Sequence, residues 1–266
     1  MPVISTWNVN SLKARLPLLQ QWVAHAQPDV LLLQELKCET TMLPQLEIEA
    51  MGYHTLVCGQ KTYNGVAILS KQPLAIRLER LPGEPEDTQA RYIEAELDDL
   101  IVASIYLPNG NPVGEGEQVS EKFAYKLRWM QRLEDHVRGL LATERPVVLG
   151  GDFNIIPQDE DVYDPEAWRG DALFRRESRA AWRRLTGQGL TEAFRTLHPH
   201  EQQAYTFWDY QAGAWPRDHG IRIDHFLLSP EAADKLVECR IDRTPRGWDK
   251  ASDHTPVLMQ LADTAQ

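Results

Sequence analysis

Cysteine is scarce in this chain: Cys38, Cys58 and Cys239 are the only three in 266 residues. They lie far apart and form no CxxC pair, which argues against a disulfide framework and against a thiolate metal centre. Each is expected to be a buried free thiol serving as a small core hydrophobe. No apolar run approaches the ~20 residues needed to span a bilayer, so no membrane segment is expected. Residues 3–7 already read as a strand and leave no room for a signal peptide, which points to the cytoplasm. Low-complexity tracts, tandem repeats and long linkers are missing too. Positive charge is in short supply: 28 Lys and Arg stand against 39 Asp and Glu, a net charge of −11. That excludes a uniformly basic surface, but it does not describe any one face.

What is present suits a large core. The length is near the upper end for one α/β domain, and one domain over residues 1–261 with a frayed tail at 262–266 is expected. Apolar, β-rich runs recur at 3–7, 30–34, 53–58, 66–69, 91–97, 101–106, 146–150, 223–228 and 256–261. Helical periodicity follows Ser11 through Leu16, Leu19 and Val23. It follows Ser120 through Phe123, Leu127, Met130, Leu133 and Val137, and a further helix is predicted at 178–187, opened by Ser178. Many strands with irregularly placed helices imply a layered α/β domain. Two long excursions, 107–119 and 155–177, are long enough to be functional loops.

The informative pattern is polar residues at the ends of predicted strands. Asn8 closes the first strand and Gln34-Glu35 the second. Tyr106-Leu107-Pro108-Asn109 ends the strand from 101, and Gly150-Gly151-Asp152-Phe153-Asn154 ends that from 146. Arg222-Ile223-Asp224 opens a later strand, and Ser252-Asp253-His254-Thr255-Pro256 precedes the last. Any one of these could be turn chemistry alone, because Asp and Asn favour turns. Together they offer the carboxylates Glu35, Asp152, Asp224 and Asp253, the amides Asn8 and Asn154, the phenol Tyr106 and the imidazole His254. Hard oxygen ligands suit Mg²⁺, with Mn²⁺ as a substitute, better than zinc. Such a set can supply what phosphodiester hydrolysis needs: a cation on the phosphoryl oxygens, an aligned water and help for the leaving oxygen.

In their order and wording these six motifs resemble those of the endonuclease/exonuclease/phosphatase superfamily, and most closely the exonuclease III and abasic-endonuclease branch. The resemblance runs from Val3 to Leu261. It implies a four-layer αββα sandwich, two mixed sheets face to face with helices outside, and a site at one edge. It implies Glu35 as principal metal ligand, with Asp253 and either Asp152 or Asn8 contributing. Asp152 would position or deprotonate the attacking water, and Asn154 would orient that water or hold a non-bridging oxygen. His254, kept cationic by Asp224, would bond the scissile phosphate. Tyr106 and Asn109 would contact the phosphate group. The implied partner is double-stranded DNA with abasic sites, nicks or blocked 3′ ends. The implied setting is a monomer in the cytoplasm, associated with the nucleoid.

For holding DNA, the region 169–184 carries six arginines against Asp171 and Glu177. Arg169, Arg175 and Arg176 follow the GGDFN loop and are the expected phosphate contacts, with Lys122 and Lys126 adding to them. Residues 205–210 resemble the family's recognition loop. Phe207 and Trp208, with Ile221 and Ile223, are the expected wall of an apolar pocket for a base-less sugar. Ile221 is smaller than the tryptophan of some relatives, which implies a looser pocket and favours 3′→5′ exonuclease activity. His25, His54 and His136 read as structural or solvated, His198 and His200 as exposed, and Asp159-Glu160-Asp161 as a solvated acidic run. Two other readings stand beside the DNA repair nuclease: a phosphoesterase of the same superfamily acting on RNA, lipid or inositol phosphates, and a non-catalytic binding relative.

Overall fold

The computed structural model describes residues 2–115 and 118–263. The chain opens with β1 (Val3–Asn8), α1 (Leu12–Ala26), β2 (Val30–Gln34), α2 (Gln45–Ala50), β3 (His54–Cys58), β4 (Val66–Ser70) and β5 (Ala75–Leu78). Next come β6 (Tyr92–Leu97), β7 (Leu100–Tyr106), the short β8 (Gly114–Glu115) and β9 (Gln118–Val119), α3 (Glu121–Leu141) and β10 (Val147–Asp152). The last third contains α4 (Pro165–Trp168), α5 (Arg176–Thr186), β11 (Thr191–Glu192), α6 (Ala193–Leu197), β12 (Asp224–Leu228), α7 (Pro230–Ala233), β13 (Leu236–Ile241) and β14 (Val257–Leu261). All nine runs expected to be strands are strands. The edge strands β5 and β13 escaped the pattern because most of their side chains are exposed and charge interrupts the alternation at Arg77, Glu238 and Arg240.

Two six-stranded sheets form the body, in the orders β13-β14-β1-β2-β4-β3 and β11-β12-β10-β7-β6-β5. They pack face to face over a core that includes Ile4, Val30, Leu32 and Ile68 from the first sheet and Ile93, Val102, Val148 and Phe226 from the second. The outer face of the first sheet is covered by Leu12, Leu19, Trp22 and Val23 of α1. The outer face of the second is covered by Trp129, Met130 and Leu133 of α3 and by Ala181, Trp182 and Leu185 of α5. This is the αββα sandwich that the motifs implied. The three thiols are buried and free.

Helix starts follow local chemistry in one case and not in two others. The Ser120 side chain accepts from Phe123 N and caps α3, as its position predicts. Ser11 precedes α1 but makes no side-chain cap; its backbone N donates instead to Glu35 O. Ser178 does not open α5, which starts two residues earlier; its hydroxyl is buried and donates to Ala172 O. At the C-terminus Ala262 N donates to Lys235 O, so the expected fray does not begin there, and 264–266 lie outside the described residues.

Topology places the site. β1 and β2 are parallel, with Asn8 opposite Gln34. β7 and β10 are parallel, with Tyr106 opposite Asp152. β12 enters antiparallel to β10 with Asp224 opposite Asp152, and β14 runs antiparallel to β1 just after His254. The ends of the parallel strands and the starts of the antiparallel ones therefore meet at one edge. Gln34 ties the two sheets together there, donating to Thr6 Oγ1, Leu32 O and Ser104 Oγ inside the sandwich. Gly151 lets β10 lie close to β7, since a Cβ there would stand 2.0 Å from Ile105 O, at a φ of 156°. We expect Gly151→Ala to lower the free energy of unfolding by about 2–4 kcal/mol in urea titration; a change under about 0.5 kcal/mol, the usual range for a neutral surface substitution, would contradict this packing.

Candidate active site

At that edge Glu35, Asp152 and His254 each bring a potential ligand atom within 4.8 Å of the others. Asn8 lies between the two carboxylates: its Nδ2 donates to Glu35 Oε1 and to Asp152 Oδ2, both at 2.9 Å. Its Oδ1 accepts from Asn10 N, so Asn8 clamps the carboxylates and is itself held in place. His254 Nδ1 is 2.8 Å from Asp224 Oδ2, and its Nε2 is 3.6 Å from Asp152 Oδ2. Asp152 Oδ1 accepts from Asn154 N, and Asn154 Nδ2 donates to Leu107 O. Glu35 and Asn154 both have left-handed backbones, φ 53° and 47°.

Burial would lower the His254 pKa, but Asp224 and then Asp152 outweigh it and raise it, so the ring is held as a cation. Burial raises Asp152, with the Asp224 and Glu35 charges adding and His254 opposing. Burial also acts to raise Glu35, but the Asn8 hydrogen bond and the Lys37 and His254 charges win and lower it. Tyr106 is pushed well above the phenol range by burial and by the Glu35 and Asp152 charges, so it remains a neutral donor beside Glu35. Asp224 Oδ1 is buried without a partner.

Sequence reasoning missed three groups here. Lys37 Nζ is 3.0 Å from Glu35 Oε2 and also donates to Asn10 Oδ1. Asn10 in turn donates to Asp253 Oδ1 and Tyr210 OH. Arg91 lies over the Tyr106 ring at 4.7 Å. Lys37 and Asn10 were close at hand, two residues beyond Glu35 and Asn8.

The charge count bears on a metal. Glu35, Asp152 and Asp224 are three carboxylates, and the cations in direct contact with them are Lys37 and His254. One negative charge is left over, which a bound cation would offset. With His254 engaged by Asp224, the donor set that fits a hard cation is Glu35 with Asp152. Asp253 stands at the rim: it is half-buried, it is bonded by Asn10, and it lies outside the group of three.

Other expected site residues lie where the fold dictates. Asn109 is exposed, and its Nδ2 donates to Asn154 Oδ1. Lys122 is exposed. Lys126, expected to reach DNA phosphates, is fully buried; its Nζ donates to Asn109 O and Asn154 O, and burial brings its pKa down to about 7. It braces the loops from inside. Arg169, Arg175 and Arg176 are at or near the surface, Arg169 paired with Glu166 and Arg175 with Glu177.

The expected pocket wall divides in two. The Phe207 ring is half-buried and meets His254 edge-on at 5.0 Å. Trp208 is wholly buried, with its Nε1 on Asp218 Oδ1, so it is core. Ile221 and Ile223 are buried against Phe123, Ile156, Val162 and Phe174 and form the layer behind Phe207. Asp161 is no solvated acid: it is buried, bonded through both oxygens to Arg222 and also to Arg195. Arg222 continues to Glu192 and His225, anchoring the segment that presents Asp224. His198 is half-buried against Cys239 O, whereas His200 is exposed.

The sequence model of the endonuclease/exonuclease/phosphatase family matches residues 5–254, which takes in every residue of this cluster. The chain belongs to that family. Among curated members it is 32% identical to exodeoxyribonuclease III of Haemophilus influenzae, over 96% of this chain and 98% of that one. Among solved members it superposes on the 3′-5′ exonuclease NExo of Neisseria meningitidis with a TM-score of 0.93 at 39% identity, covering 98% and 99% of the two chains. An AP endonuclease from Archaeoglobus fulgidus gives a TM-score of 0.92 at 34% identity, with the same coverage. The family is one of nucleases and phosphodiester hydrolases.

We expect Asp224→Asn to remove the largest charge that favours the His254 cation, so its pKa should fall below that of the parent while Asp152 still opposes burial. Nitrogen NMR of the ring over a pH series should show deprotonation at lower pH in the variant than in the parent. An unchanged transition would remove Asp224 from this role.

Proposed function

We propose that this chain is a DNA repair nuclease of the exonuclease III type, which incises on the 5′ side of abasic sites and trims blocked or recessed 3′ ends. The observation that carries the reading is the meeting of Asp152, Asn154, Glu35 and the Asp224-held His254 at one edge of the sandwich. Mg²⁺, for which Mn²⁺ can substitute, is the cation that this oxygen donor set favours. When bound it supplies charge neutralisation at the phosphoryl oxygens. Glu35 and Asp152 would hold it.

The remaining steps belong to the protein. Asp152 is the carboxylate placed to position the attacking water or to accept its proton. Asn154 is fixed by its bonds to Asp152 Oδ1, Leu107 O and Asn109 Nδ2 and, next to Asp152, is the amide proposed to orient that water or a phosphoryl oxygen. The His254 cation donates from Nε2 to a non-bridging oxygen, and its charge opposes the negative charge gathering on phosphorus. Neutral Tyr106 and exposed Asn109 add hydrogen bonds to the same group. The water oxygen bonds phosphorus as the P–O3′ bond opens, and O3′ leaves with the bonding pair and takes a proton from solvent water to become a 3′-hydroxyl. Because none of these groups must reorient, little reorganisation is required during the reaction.

Phe207, beside His254, is the apolar surface against which a base-less sugar would rest. Lys122, Arg169 and Arg176, which are exposed, and half-exposed Arg175 are the cations proposed to meet the backbone, while Lys126, Trp208, Ile221 and Ile223 act from beneath. The partner is duplex DNA with abasic sites, nicks or blocked 3′ ends, and the setting proposed is the cytoplasm, at the nucleoid, as a monomer. Among the described residues no helix is long and apolar enough to cross a membrane.

Labelled abasic, nicked and intact duplexes, incubated with the pure chain in Mg²⁺ or in chelator, test the reading. We expect cleavage at the abasic site and from nicked 3′ ends in Mg²⁺ alone, and a loss of about 10²–10⁴-fold in turnover for Asp152→Asn with duplex affinity retained. Undamaged turnover in that variant, or no cut on any duplex, would overturn it.

A further inference from the structure

A second cluster of unsatisfied charge lies beside the site and takes no part in the chemistry above. A cavity of about 400 Å³ is lined by Arg15 of α1, Tyr210, Arg246, Trp248, Lys250 and Ala251, among others. Three cations line it, and among the described residues none of the three has an ion-pair partner. Arg246 is 93% buried, 7% of it remaining accessible; its terminal nitrogen donates to Trp208 O, and its guanidinium stacks near the Tyr210 and Trp215 rings at 5.5 and 5.4 Å. The Nε atoms of both Arg15 and Arg246 are buried with no hydrogen-bond partner. Asp253 and Asp209 lie near enough to act on Arg246 but pair with neither guanidinium, and a buried Nε without an acceptor is costly unless something else meets the group. Burial accordingly lowers the Arg246 pKa.

The cavity is joined to the catalytic edge. Tyr210 OH accepts from Arg15 at 3.0 Å and from Asn10 at 3.2 Å, and donates to Ala251 O at 2.9 Å. Asn10 accepts from Lys37, which pairs with Glu35. Only Asn10 and Lys37 separate Tyr210 from the principal carboxylate. Two planar guanidinium forks and an ammonium suit a tetrahedral oxyanion, and the Tyr210 and Trp248 faces suit the sugar or base attached to it.

We propose that this cavity is a phosphate subsite, which takes one non-scissile phosphodiester of the DNA strand through Arg15, Arg246 and Lys250 and so fixes the register of the scissile bond over Glu35 and Asp152. The proposal rests on the reading of the edge as a DNA nuclease. It supplies a basic contact that the chain's overall acidity conceals, on residues distinct from the arginines of 169–184.

The test is equilibrium binding of the full chain, in chelator, to a set of nicked duplexes that each carry one uncharged methylphosphonate. Cleavage of the unmodified duplex in Mg²⁺ is measured in parallel. Lys250 is exposed and Arg15 half-exposed, so Lys250→Ala and Arg15→Gln need not disturb folding as a change at Arg246 would. For the parent chain, neutralising one non-scissile position should weaken binding about tenfold, the size of a single charge-assisted contact. Each variant should bind the unmodified duplex more weakly and lose little further at that one position, while keeping its sensitivity at the others. Effects of variant and methylphosphonate that simply multiply at every position would overturn the subsite. Cleavage without this coupling would overturn the subsite alone; coupling without cleavage would remove the nuclease reading and leave the subsite standing. Absence of duplex binding would sink both.

Discussion

The site depends on one contact that joins the two halves of the sandwich: the Asn8 amide, which donates at once to Glu35 on its own sheet and to Asp152 on the facing one. Two carboxylates this close repel each other, and burial strengthens the repulsion. The amide gives each of them a hydrogen bond and fixes their spacing. His254 then holds Asp152 from the other side, Asp224 holds His254, and Lys37 holds Glu35. Even so, negative charge is left over. A folded edge with surplus carboxylate suits a cation.

Much of this could be read in the sequence because the topology is regular where the chemistry is. Residues that end parallel strands, or that begin antiparallel ones, share an edge whatever lies between them. Asn8, Glu35, Tyr106, Asp152, Asp224 and His254 therefore converge even though 246 positions separate the first from the last. The resemblance of their motifs to one superfamily added the roles. Where the reading failed, a long-range partner or an overridden periodicity was responsible. Lys126 lies on the same face of α3 as Phe123, Met130 and Leu133, at the three- and four-residue spacing that marks a buried stripe, yet its charge suggested a surface. Asp161 looked like a loop acid because its partner Arg222 is 61 positions away. Trp208 was grouped with Phe207 as pocket wall, although adjacent residues in extended chain point to opposite sides. Phe207 meets His254, and Trp208 enters the core.

The buried ionic network explains why the catalytic loops can be long without being loose. Arg222 binds Asp161 from the excursion after GGDFN and Glu192 from β11, and Arg195 binds Asp161 as well. Removing one member would leave uncompensated charge in the core, a loss of about 3–5 kcal/mol for a buried pair. The walls of the site are thus held by charge inside the protein, and its floor by Lys126. Acidity at the catalytic edge and basicity in neighbouring cavities can coexist in a chain whose total charge is strongly negative.

The central claim is that Glu35 and Asp152 form one divalent-cation site. Titration of the pure chain with Mn²⁺, followed by loss of the free-ion paramagnetic resonance signal, tests it without any substrate. The account predicts saturable binding in the parent chain that weakens about 10-fold or more in Glu35→Gln, as loss of a ligand should. An isotherm unchanged by that substitution would contradict it.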